Sequence, residues 1–296
     1  MMTGSDCLVC FLRQTLATAR LAAQDEQSHR RVVLEIGALL TGLDPAASPP
    51  ENAVQVYGRI AELTGNADPF AEVKRQSTKL ALQLRDRVRQ QILAAGDPFY
   101  ASLRFAIAAN IIDYGSQLAF DAEKTLHSCL QTPLCIDDYH RLSQLLNRVP
   151  AAEVLYLADN CGEIVFDALV IEQLEKAGCR VTLAVRGGVI LNDATMADAE
   201  ACELSCRVVD SGLSCPGTPI NACSRELRDA FARADVIVSK GQGNFETLSE
   251  TEAPLFFLLT VKCPVVGRHI SDHRNRPDGT VLGRGEMILL DGRRQR

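Results

Sequence analysis

The chain has no tryptophan, and aromatic residues make up only 5% of its 296 positions. A base-stacking platform for single-stranded nucleic acid is therefore not expected. Basic excess is also missing: the formal net charge is -6. Such a chain has no general electrostatic pull toward DNA, RNA or an anionic membrane. No stretch approaches the roughly 20 apolar residues of a membrane span, and the apolar run 255–261 is only strand length. The opening Met1-Met2-Thr3-Gly4-Ser5-Asp6-Cys7 lacks the basic and apolar regions of a secretory leader. No HExxH or GxSxG occurs, which argues against a zincin or a serine hydrolase of the α/β type.

What is present is ordinary globular material, 47% hydrophobic and 23% charged, in a chain long enough to bury a substantial core. The 11 cysteines are odd in number and scattered. In a mid-sized chain without an export signal they read as reduced thiols packed like small hydrophobes, and the expected compartment is the cytoplasm. Cys7 and Cys10 form a CxxC. A zinc site would need two more ligands, with Cys263 a conceivable third, so packing is the expectation.

Residues 1–150 read as a helical subdomain. Apolar residues at three-four spacing mark helices over 7–23 and 30–43. Pro49 and Pro50 open a third helix, and Asp68-Pro69-Phe70 and Asp97-Pro98-Phe99 open two more. Beyond Pro150 the pattern changes. Strands are expected at 153–158, 180–185, 206–210 and 235–239, alternating with helices at 165–177, 194–204 and 224–234. Residues 255–261 and 264–267 are further β candidates. Apolar strands alternating with helices predict an α/β fold for residues 151–296: a mainly parallel sheet covered on both faces, a three-layer α/β/α sandwich. Ligands of such sheets bind at the carboxyl ends of the strands.

Chemistry-bearing residues collect at those ends. The first strand runs into Asp159-Asn160-Cys161-Gly162-Glu163, and adjacent carboxylate and carboxamide oxygens suit a hard cation. A helix N-cap would account for one of these residues but not for all. The second strand leads through Arg186 to Asn192-Asp193, where a cap is the simpler reading of Asp193 taken alone. The fourth ends Lys240-Gly241-Gln242-Gly243-Asn244. Its glycines permit close backbone approach to a phosphate and its lysine adds charge, although a tight turn with a solvated lysine is the plain alternative. Within the helical half, Asn110 and Asp113 share one helix face.

Taken together, these segments resemble the damage-control metal-dependent phosphatases, formerly domain of unknown function 89, and most of all the branch with an N-terminal CxxC. The resemblance rests on Cys7-Leu8-Val9-Cys10, the two Asp-Pro-Phe turns with Lys74, Asn110 to Gly115, Asp159 to Glu163 with Phe166-Asp167, Asn192 to Thr195, Lys240 to Glu246, and Lys262-Cys263-Pro264. It implies a divalent cation (Mg, Mn, Co or Ni) on Asp159, Asn160 and Asp193. It also implies that Asn110, Asp113 and Lys240 face the phosphate of a small phosphorylated metabolite. Glu163, Gly241, Gly243 and Asn244 join the expected phosphate-binding set, and Asp113 is the expected base. Cys161 stands where the family usually has alanine, and a thiol there could favour softer metals. Two other functions compete: a methyltransferase using S-adenosylmethionine, disfavoured by the acidic, glycine-poor first loop, and a non-catalytic scaffold.

Overall fold

The computed structural model describes residues 1–109, 128, 130–274 and 281–293. Three helices come first: α1 (Ser5–Ala22), α2 (Glu26–Leu39) and α3 (Pro49–Thr64). Asp25 caps α2 through the Ser28 amide, and Ser48 with Glu51 forms a capping box on α3, whose first turn holds both prolines. Phe11, Ile36, Val56 and Ile60 give these helices a small core of their own, and Ile190 joins it from the later half.

Helices α4 (Ala71–Ala94) and α5 (Pro98–Ala108) behave differently. Leu84, Val88 and Ile92 of α4 and Phe105 and Ile107 of α5 share one apolar core with a face of the sheet. That face is also covered by α7 (Ile164–Lys176). The opposite face carries α9 (Arg225–Arg233), α10 (Gln242–Leu248) and α11 (Pro264–His273), with Leu227, Phe245 and Ile270 in its core. Two short helices, α6 (Tyr139–Arg148) and α8 (Met196–Ala201), complete the described set.

The sheet has seven strands: β1 (Ile136–Asp137), β2 (Glu153–Leu157), β3 (Arg180–Val185), β4 (Arg207–Asp210), β5 (Val236–Lys240), β6 (Leu255–Thr260) and β7 (Met287–Asp291). Their order is β1-β7-β6-β5-β2-β3-β4, and every pairing is parallel except β6 with β7. Side chains alternate between faces as a pleated strand requires: Val154 and Tyr156 enter one core, Leu155 and Leu157 the other. The expected three-layer, mainly parallel architecture with helices ahead of it is the one observed.

Two local readings need correction. Residues 264–267 are not a strand. They begin α11, because Pro264 occupies the first turn and Val266 and Ile270 then recur four apart toward the core. Strands β1 and β7 are not expected from the sequence pattern, although Met287 to Asp291 is fully strand and buried throughout.

Candidate functional site

From β2 the chain moves outward through β3 to β4, then returns to place β5 on the other side of β2. The strand order reverses between β2 and β5, where an open parallel sheet leaves a crevice. Asp159 and Asn160 follow β2, and at that same edge Lys240 ends β5 and Gly241 follows it.

The backbone brings the later aspartate there. Ala194 N donates to Asp159 O (2.8 Å), Cys161 N donates to Asn192 O (2.9 Å), and Asn160 and Asp193 form a β-bridge. The backbone thus brings Asp159, Asn160 and Asp193 together. Asp159 and Asp193 are both buried. Desolvation, chiefly, pushes both carboxyls above their usual range, and each also feels Glu163. Lys262, an exposed residue the sequence reading gave no site role, works against this for both.

Arg186 supplies the buried countercharge. Its Nε donates to Asp193 Oδ2 (2.7 Å), and Nη2 lies 3.8 Å from Asp159 Oδ1. Nη1 is 3.0–3.1 Å from Gly217 O, Thr218 Oγ1 and Asn244 Oδ1. Burial acts to lower its pKa, but Asp193 and Asp159 outweigh that and hold the guanidinium charged. An exposed surface arginine, the commoner case, is not what the fold makes of it.

Lys240 is likewise no solvated turn lysine. It is fully buried, with Nζ donating to Asp167 Oδ1 (2.8 Å) and Glu163 Oε2 (3.1 Å). Burial would depress it, yet Asp167 and Glu163 together raise it above its ordinary value. Two of its three donors are engaged in these bonds. Glu163 Oε1 accepts in turn from Asn160 Nδ2 (2.6 Å), and that nitrogen also donates to Asp159 Oδ2 (3.0 Å). Both bonds use Nδ2, so Oδ1 is the amide atom that could serve as a ligand.

The glycine turn is tight for internal reasons. Gly241 has φ +78°, and a Cβ there would sit 2.0 Å from Asp159 Oδ2. A Cβ on Gly243 would sit 1.8 Å from the Pro216 carbonyl oxygen. Asn244, expected to contact phosphate, instead spends its amide on structure. Nδ2 donates to Ala158 O and Lys240 O, and Oδ1 accepts from Arg186 and Thr218.

Cys161 is buried, and its thiol meets the Lys74 carbonyl oxygen at 3.8 Å. Burial, then Asp198, push it up to about 12, so it is a neutral thiol near neutral pH. Asn110 and Asp113 lie outside the described residues. At the other end of the chain, burial raises the Cys7 and Cys10 thiols, and Cys263 adds to both. Among the described residues no group of three or more His, Cys, Asp or Glu is placed to hold a metal ion. The donor set at the β2–β5 crevice is different in kind: two carboxylates and a carboxamide oxygen. It fits a hard divalent cation. Both carboxylates are desolvated and raised, and the missing Cβ at Gly241 makes room for the Asp159 carboxylate itself.

No described helix is long and apolar enough to cross a membrane. Residues 3–276 match the damage-control phosphatase ARMT1-like domain family. The chain is 35% identical over 276 residues to the damage-control phosphatase PH1575 of Pyrococcus horikoshii, covering 90% of this chain and 93% of that one. It is 32% identical over 275 residues to a damage-control phosphatase of Archaeoglobus fulgidus, covering 89% and 93%. The crystal structure of the Pyrococcus horikoshii DUF89 family protein superposes with a TM-score of 0.89 at 32% identity, over 99% of this chain and all of that one.

Proposed function

The chain belongs to the damage-control phosphatase ARMT1-like family, and from that premise we propose that it is a metal-dependent phosphomonoester hydrolase of small phosphorylated metabolites, sugar phosphates among them. The observation that carries this reading is the meeting of Asp159, Asn160 and Asp193 at the reversal point of the sheet. We further propose the branch with the N-terminal CxxC, on Cys7 and Cys10, and a cytoplasmic location, on buried reduced thiols such as Cys202, Cys215 and Cys223.

Asp159, Asn160 and Asp193 would hold the ion, which is Mg, Mn, Co or Ni in this proposal. Bound there, a divalent cation supplies Lewis-acid polarisation of a phosphoryl oxygen and orients water for in-line attack. The remaining work falls to the chain's own side chains. Lys240, expected to face the phosphate, is fully buried against Glu163 and Asp167, so in this proposal its charge offsets that of the transferring phosphoryl group from behind the Glu163–Asn160 pair rather than by direct contact. Gly241 and Gly243, at the cap and in the first turn of α10, wall the site, and Glu163 orients the Asn160 amide. The helical part, residues 1–150, contributes Asn110 to the phosphate and Asp113 as the base that orients or deprotonates water.

Phosphate release from a generic phosphomonoester, measured with Mn²⁺ and again with excess chelator, tests the reading. Activity should need the metal, and Asp159→Ala should lose about 100-fold or more while still folding. A variant as active as the parent would remove the assignment.

A further inference from the structure

We infer that Asp167 and Tyr156 are positioning residues of this site, holding Lys240 and, through it, the Glu163–Asn160–Asp159 array in register. The inference rests on the metal-phosphatase reading above but concerns two residues that touch neither ion nor substrate in it. It starts from an anomaly in α7. Positions 164 to 171 of that helix are buried without exception, and all but Asp167 are apolar. A carboxylate in such a place is desolvated, and burial is the first cause that raises its pKa. A core chosen for stability alone would put an apolar side chain of similar volume there.

Its partners explain what the carboxylate does. Asp167 Oδ1 accepts from Tyr156 Oη (2.7 Å) and from Lys240 Nζ (2.8 Å). Lys240 Nζ continues to Glu163 Oε2 (3.1 Å), Glu163 Oε1 to Asn160 Nδ2 (2.6 Å), and Asn160 Nδ2 to Asp159 Oδ2 (3.0 Å). Tyr156, Asp167 and Lys240 are fully buried, so nothing in solvent competes for these bonds. The result is an unbroken line of hydrogen bonds from a tyrosine in the middle of the sheet to the candidate ion ligands. Tyr156, the penultimate residue of β2, and Asp167, in the first turn of α7, fix one end of that line.

Without the Asp167 charge, Lys240 would be balanced by Glu163 alone. Glu163 would then be drawn toward the ammonium and away from Asn160, loosening the amide that presents Oδ1. Outer partners of ion ligands act this way in general, and their loss typically costs about 10–100-fold in metal affinity or activity.

The experiment compares the full-length protein with Asp167→Asn, Tyr156→Phe and, as a packing control, Leu169→Ala. Mn²⁺ binding is followed by electron paramagnetic resonance, turnover with a generic phosphomonoester, and folding by thermal melts. Asp167→Asn should raise the Mn²⁺ Kd and lower kcat, each about tenfold or more, and Tyr156→Phe should shift both in the same direction by less. Leu169→Ala, whose side chain is equally buried but outside the line, should melt lower with an unchanged Kd. Wild-type Kd and kcat in both Asp167→Asn and Tyr156→Phe would overturn the inference, even with a lowered melting temperature. If Asp167→Asn does not fold, Tyr156→Phe decides alone. A parent protein that binds no Mn²⁺ and releases no phosphate would sink the underlying reading itself, and this inference with it.

Discussion

Single side chains at the crevice were unevenly legible. Asp159 and Asn160 stand out because two hard donors side by side at a strand tip have few other uses, and the fold does bring Asp193 to them. Lys240 and Arg186 were legible as cations but not as buried ones. Their partners, Glu163, Asp167, Gly217 and Asn244, are tens of residues away in sequence, and no local pattern announces such a pairing. Asp167 did leave a trace, a lone acid inside an apolar helical run. Glu246 illustrates what burial does away from the crevice. Desolvation raises its carboxyl from 4.5 to about 7. A carboxyl raised on folding favours the fold fully below its unfolded pKa, and that contribution is lost as pH rises through the folded value, here between 4.5 and about 7. Glu246→Gln carries no such charge. It should match the parent in urea unfolding near pH 4 and exceed it by about 1–3 kcal/mol near pH 8. Identical pH dependence in the two proteins would contradict the assignment.

Among elements, the first five helices and the strands β2 to β6 follow from periodicity and caps that are local in sequence. The failures were non-local. Residues 264–267 look like a strand because two valines follow a proline, yet that proline starts α11. Strand β7 pairs antiparallel with β6, outside the strand–helix alternation that marks the other strands. The turn between β5 and α10 was legible as glycine-rich, but its reason was not. Gly241 keeps a left-handed backbone so that the turn can lie against the Asp159 carboxylate. Gly241→Ala adds a methyl where that oxygen stands, and displacements of about 1 Å near reacting groups cost on the order of 100-fold in rate. We expect kcat to fall by about that factor, with about 1–3 kcal/mol of backbone strain lowering the urea midpoint. Retention of parental kcat would show that the turn tolerates a displaced Asp159.

For the molecule as a whole, composition and strand–helix alternation were enough to specify a covered parallel sheet. The sharing of one core between α4, α5 and the sheet was not readable, because amphipathic helices do not declare which surface they will cover. An ion held only by the folded state must stabilise that state by mass action. Saturating Mn²⁺ should therefore raise the melting temperature, with about 2.7 kcal/mol gained at 100 times Kd. Asp193→Asn should show a much smaller rise, as measured by paired thermal melts. An equal rise in both would place the ion elsewhere.

The Arg186 clasp has one more outcome. It fastens together stretches that the chain reaches one after another, from Asp159 to Asn244, with α7 to α9 and β3 to β5 lying between them. No shorter fragment can rehearse this pocket in miniature. The centre should therefore be lost as a unit when any of these stretches is displaced.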